Sequence, residues 1–251
     1  MTALQLEQFN KLQVEDSKKE KNPSESHEWP MMEKNAKTRL EVPADQSVTE
    51  EKAIELIKQG KLSESEYIFR TLISKGDGTH TVYGNLAAIC GMQNRFDEVI
   101  ELLHKALILK PDYGEAHYNL GIALKKQGYL EAAIASYKTA LKLAHEHPQI
   151  HYNLGIALYQ QGDLDTAVKE FKIALKLKDN YPEAHYNLGV SLKKQGDHIG
   201  AITSYKAALK YKPDYPKAHY NLGNTFQETG NLICAISSFK SALKLKPDYP
   251  K

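Results

Sequence analysis

Residues 117–121 read His-Tyr-Asn-Leu-Gly, and the same pentapeptide begins again at His151, His185 and His219. Each return comes 34 residues after the last. A fixed period of this length, with glycine, alanine, an aromatic residue and proline at constant offsets, marks one supersecondary unit copied and stacked; a single unit cannot bury its own apolar face. The expected fold is all-α, an α-α solenoid of antiparallel helix pairs, with units at 80–113, 114–147, 148–181, 182–215 and 216–249.

The second unit shows the internal logic. Its first helix is expected over roughly Glu115–Gln127 and its second over Leu130–Leu143, with Gly128 between them. Glycine accepts the left-handed backbone angles of a tight helix stop, and Gly162, Gly196 and Gly230 repeat the device. A further glycine lies inside each first helix, at Gly121, Gly155, Gly189 and Gly223, where it costs about 1 kcal/mol against alanine. Close approach of a bulky neighbour is the expected compensation. Tyr137, Phe171, Tyr205 and Phe239 supply the bulk, while Ala133, Ala140 and their equivalents keep the facing stripe small. Pro111, Pro213 and Pro247 close the second helices, and His145 and Asp179 stand in the matching places of the other units.

Outward from this array the pattern weakens. Residues 51–79 read as a diverged first hairpin that aligns through Gly60 and ends in Lys75-Gly76-Asp77-Gly78. Residues 15–50, rich in Lys, Glu, Ser, Asp and Pro around the single Trp29, are expected to be disordered, and Leu4, Leu6, Phe9, Leu12 and Val14 form at most a short marginal helix before them. Residues 1–50 thus read as a loosely ordered tail, and 80–251 as five repeats ending at the start of a further unit. Pro250-Lys251 matches the Pro182-Glu183 and Pro216-Lys217 openings. An uncapped apolar end is therefore expected, to be covered by more chain, by a partner, by the tail or by self-association.

Composition narrows the function classes. The formal net charge is +2, divided into 7 basic and 10 acidic side chains over residues 1–50 and 26 and 21 over the remainder. So small a surplus gives no basic stripe, and nucleic acid is not an expected partner. Neither a membrane-length apolar run nor a signal peptide is present, and Cys90 and Cys234 occupy different repeat positions, so a reduced, cytoplasmic protein is expected. The repeated histidines cannot share a metal: neighbouring helix axes lie about 8–10 Å apart, whereas zinc holds its nitrogens at about 2 Å. His145, His147 and His151 are the one dense group, without cysteine or paired carboxylates, so no metal or cofactor is expected. No nucleophile elbow, phosphate loop or zinc-protease string occurs, and repetition spreads equivalent groups along a ribbon instead of assembling one centre. The expectation is a non-enzyme that meets an extended ligand.

With Leu-Gly in the first helix, Gly at the turn, then Ala, an aromatic, Ala and Pro, the pattern resembles the tetratricopeptide repeat family, strongly over 80–249 and loosely over 46–79. The resemblance implies a right-handed superhelix whose first helices line a concave groove, and a scaffold that binds peptides or protein segments. Histidine at 117, 151, 185 and 219 departs from the family, where tryptophan is common, and leaves that corner looser or hydrogen-bonded. In similar near-uniform arrays the repeats form the amino-terminal, substrate-recruiting module of a glycosyl-, sulfo- or methyltransferase, which is the alternative expectation for this chain.

The expected binding residues are Asn85, Asn119, Asn153, Asn187 and Asn221, one per unit. An amide both donates and accepts, so a row of them suits a peptide backbone whatever its side chains; relatives such as the intracellular N-acetylglucosamine transferase use a similar ladder. Tyr118, Tyr152, Tyr186 and Tyr220 border the same face and offer contact area. Lys125 and Lys126, with Lys193 and Lys194, would favour an acidic segment, although lysine at a helix end also complements the exposed carbonyls. Ile122, Ile156 and Val190 occupy the place of the second asparagine in carboxylate-clamp relatives, with Asn224 the exception, so that clamp is not reproduced.

Overall fold

The computed structural model describes residues 48–144 and 147–247. Leu4–Val14 and Trp29 of the tail, His145, and Pro250-Lys251, each the subject of an expectation above, lie outside the described residues. The chain divides into two compact units at Leu109/Lys110. Unit 1 contains α1 (Glu50–Lys58), α2 (Leu62–Ser74), α3 (His80–Met92) and α4 (Phe96–Leu109). Unit 2 contains α5 (Gly114–Lys126), α6 (Leu130–Leu143), α7 (Pro148–Gln161), α8 (Leu164–Leu177), α9 (Pro182–Lys194), α10 (His198–Tyr211), α11 (Pro216–Glu228) and α12 (Leu232–Leu245). All regular structure among the described residues is helical, in antiparallel pairs, as the 34-residue period requires.

Local chemistry sets the helix ends. Thr49 and Thr79 each accept the backbone N–H three residues on, at 3.2 Å, opening α1 and α3. In unit 2 the turn glycines have φ between 78° and 97°, and a capping residue follows three of them. Asp163, Asp197 and Asn231 accept the N–H groups of Thr166, Gly200 and Cys234 and so begin α8, α10 and α12. Between α3 and α4 the left-handed place falls to Asn94, φ 59°, a side chain that tolerates it better than most.

Each pair of unit 2 is closed by the predicted contact. A Cβ added to Gly121, Gly155, Gly189 or Gly223 would lie 2.6–2.7 Å from the ring of Tyr137, Phe171, Tyr205 or Phe239 respectively. The ring of the second helix rests directly on the backbone of the first. In unit 1, Ala53 and Ala87 occupy the glycine position and Phe69 and Leu103 the aromatic one, all buried. Unit 1 also carries a closed charge network: Arg70 and Arg95 each bond both Glu66 and Glu98 at 2.6–2.9 Å. Burial alone would raise the Glu66 carboxyl, but its bonds to Arg70 and Arg95 outweigh that and hold it below its usual range.

Three of the four motif histidines hold the loop that precedes their own helix, and the fourth bonds within its own pair. Nε2 of His117, His185 and His219 lies 2.9–3.0 Å from the carbonyl oxygen six residues earlier, that of Pro111, Asp179 and Pro213. His151 instead places Nδ1 2.6 Å from Glu170 Oε2. The corner vacated by tryptophan is therefore hydrogen-bonded, in the same way at three repeats and differently at the fourth.

Successive pairs pack through second helix against following first helix, α6 on α7, α8 on α9 and α10 on α11. Successive first helices also touch, whereas no two successive second helices approach as closely, so unit 2 bends toward its first helices. Ile134 and Val168 are 6% and 8% exposed beneath the following pair, but the equivalent Ile236 on α12 is 55% exposed. The apolar stacking surface thus continues to the last described helix. Because the ring-to-backbone contact leaves no room for a methyl group, Gly155→Ala should destabilise the protein by about 1–3 kcal/mol in urea unfolding. Phe171→Leu should relieve the clash, so that the double variant loses less than the two single losses added.

Candidate functional site

The first helices of unit 2 bring the predicted tyrosines and asparagines together, and they bond to one another. Asn153 Nδ2 donates to the hydroxyl of Tyr118 at 2.9 Å, Asn187 to Tyr152 at 3.0 Å, and Asn221 to Tyr186 at 2.9 Å. The partners are always 35 residues apart, one period plus one position. In unit 1 Asn85 makes the corresponding contact to Glu50 Oε1 at 3.4 Å, with a carboxylate replacing the tyrosine hydroxyl. Asn119 Oδ1 is buried without a hydrogen-bond partner.

The tyrosines sit between two sets of aromatic neighbours. Tyr118, Tyr152, Tyr186 and Tyr220 lie 5.8–6.1 Å, centroid to centroid, from Tyr137, Phe171, Tyr205 and Phe239 of their own pairs. On the other side Tyr152 meets Tyr181 at 4.8 Å, Tyr186 meets Tyr215 at 5.0 Å, and Tyr118 meets His147 at 6.1 Å. Tyr118 is buried, and Tyr152, Tyr186 and Tyr220 are half-buried. Burial pushes the Tyr118 and Tyr152 hydroxyls above the ordinary phenol range, so near neutral pH they remain O–H groups that accept from asparagine and can still donate. The Tyr181 hydroxyl donates to Gln149 Oε1 at 2.6 Å. These second rings stand just before the first helices of unit 2, and Asn-Tyr-Pro at 180–182 and Asp-Tyr-Pro at 214–216 are their signal in the sequence.

The asparagines differ in what they leave unused. Asn153 has both ends occupied, because Lys125 Nζ donates to its Oδ1 at 3.2 Å. Asn187 and Asn221 are half-buried, and their Oδ1 atoms accept no hydrogen bond among the described residues. With Nδ2 held by a tyrosine, each carbonyl is a fixed acceptor still reached by solvent.

The four predicted lysines have four different settings. Lys193 Nζ is 2.9 Å from Glu228 Oε1 on the next first helix. Lys194 Nζ stands 5.0 Å from the Tyr159 ring centroid, a cation–π contact. Lys126 is exposed. Lys125 retains some solvent contact but is surrounded by protein and has no carboxylate partner among the described residues. Its dense surroundings, with Lys126 adding repulsion, push its ammonium down to about 8. No group of three or more His, Cys, Asp or Glu that could hold a metal occurs among the described residues.

Comparison with known proteins agrees with this architecture. The family model described as TPR repeat matches residues 92–128, 124–162, 155–196 and 192–230, and that described as Tetratricopeptide repeat matches 216–249. The chain belongs to the tetratricopeptide repeat family. A stretch of 66 residues, 26% of the chain, is 39% identical to the peroxisomal targeting signal receptor of Kluyveromyces lactis and spans 12% of that protein's length. Among solved structures, MamA superposes with a TM-score of 0.62 at 26% identity, over 64% of this chain and 95% of MamA. YrrB, described as a TPR protein with an unusual peptide-binding site, superposes at 0.63 and 24% identity, over 72% of this chain and 93% of its own. A solenoid of this family presents an extended face to another protein segment, without one enclosed centre.

Two outcomes follow from this geometry. Asn187→Ala removes the donor to Tyr152 and should destabilise unit 2 by about 1 kcal/mol. A double-mutant cycle with Tyr152→Phe should show coupling of similar size, measured by urea unfolding. Lys125→Met keeps the apolar stem but removes both a lone ammonium and the donor to the buried Asn153 Oδ1, two opposing effects of about 1–3 kcal/mol that should leave little net change in stability at pH 7. Below pH 8 both folded and unfolded chains carry that proton and the penalty is fully present. Between there and about 10.4 the folded chain releases it first. Wild type should therefore gain stability relative to the variant over that window, followed as the difference between wild-type and variant unfolding curves.

Proposed function

We propose that the protein is a non-enzymatic interaction scaffold that holds an extended peptide along the first helices of unit 2, with Asn187 and Asn221 accepting backbone N–H groups. The observation that carries this reading is their pair of fixed, solvent-reached Oδ1 acceptors, one per repeat. A carbonyl already oriented by its own amide loses little freedom when a ligand arrives, which favours binding. Half-buried Tyr152, Tyr186 and Tyr220 add contact area beside them.

The spacing makes the reading specific. First-helix axes about 8–10 Å apart match one turn of an extended chain of the polyproline II type, three residues at about 3.1 Å each, so every third backbone N–H faces an asparagine. A peptide selected on the protein from a random library and then N-methylated at one backbone amide at a time tests this without altering the repeat joints. Methylation at two positions about three residues apart should weaken binding roughly 3–10-fold, the value of one net hydrogen bond, while the intervening positions tolerate it. Equal tolerance at every position overturns the backbone role.

A further inference from the structure

Lys125 and Lys193 occupy the same place in units two periods apart, yet only one of them is neutralised. Lys193 is paired with Glu228, 35 residues further along and on the next first helix. The same offset from Lys125 leads to Gln160, which carries no charge. Lys125 donates one hydrogen bond, to Asn153 Oδ1, and Asn153 in turn donates to the Tyr118 hydroxyl. The one charge that acts on Lys125 is another cation, Lys126, and its partners in this network, Asn153 on α7 and Tyr118 on α5, are neutral.

We propose that Lys125, oriented by Asn153, is a carboxylate-binding point on the first-helix face, where a ligand carboxylate supplies the charge that Glu228 supplies to Lys193. The proposal rests on reading that face as the peptide-binding one, and it adds where along the face an acidic group sits. An ammonium has three donors, and one of the three is used here. A lone cation taken partly out of water is unfavourable until it is paired, so an arriving carboxylate gains a charge-assisted bond and relieves a standing penalty. The depressed ammonium of Lys125 agrees with this account, since a bound carboxylate would return it toward the usual lysine range. The point is also distinct from the clamp position of relatives, which in this unit is Ile122, one helical turn earlier.

The carboxylate could be a chain terminus or an acidic side chain, and three probes separate these sources. N-acetyl-triglycine carries a terminal carboxylate, its amide carries none, and N-acetyl-Gly-Glu-Gly-amide carries a side-chain carboxylate. Each is titrated into the full chain while the lysine Cε resonances are followed by NMR, with the Lys125 signal assigned from Lys125→Met. At least one acid should shift that signal and bind roughly tenfold more tightly than the amide, about the effect of a charged hydrogen bond. Gln160→Glu recreates the arrangement around Lys193; it should shift the Lys125 signal without ligand and abolish the preference for the acid.

Equal binding of acid and amide at Lys125 overturns the proposal, as does an acid preference that survives in Gln160→Glu or Lys125→Met. The selected library peptide provides the control. If it binds in the every-third-residue pattern while the Lys125 signal ignores both acids, the carboxylate point fails and the backbone grip stands. If both are lost, the binding face itself has been misassigned.

Discussion

The repeat depends on a ring resting on a helix backbone. Tyr137, Phe171, Tyr205 and Phe239 press against glycines of the partner helices so closely that a single methyl group would overlap them. That contact brings the two helices of a pair together and makes the internal glycine, unfavourable for an isolated helix, favourable in context. The turn glycines and their Asp or Asn caps then need only reverse the chain over a few residues.

A second interaction passes order from one pair to the next. The amide of Asn153, Asn187 or Asn221 reaches back 35 residues to a tyrosine hydroxyl, and in unit 1 Asn85 reaches back equally far to Glu50. Each bond is partly withdrawn from water, so leaving either partner unmatched is unfavourable and the register is specific. The same amides that build the stack also orient the carbonyls offered to a peptide. Structure and recognition are thereby combined in one side chain, and removing it alters both. This is why modification of the ligand backbone, which leaves the protein untouched, separates the two roles.

Electrostatics breaks the symmetry that the period suggests. Lysines at equivalent positions meet Glu228, an aromatic ring, solvent or no counter-charge at all. The distinction arises from single residues outside the repeated motif, Gln160 against Glu228 above all. A repetitive scaffold can acquire a unique point in this way without a change of fold.

The helical pairs, their turns and the interlocking of glycine with aromatic residue were legible in the sequence, because each follows from short-range geometry repeated at a fixed interval. Helix α6 spans Leu130–Leu143 as expected, and α5 ends within a residue of its expected limit. The histidine corner was legible only as a departure from family habit; its carbonyl partners became visible once the loop folded back over it. The tyrosine-to-asparagine bonds were not legible, since they join residues 35 apart, and a period of 34 by itself aligns like with like and does not reveal a one-position offset. Sequence alone determined the unit and its period because backbone geometry and side-chain volume act locally. Which asparagine keeps a free carbonyl, and which lysine lacks a counter-ion, only the tertiary structure decided, because burial and pairing depend on what the next helix brings alongside.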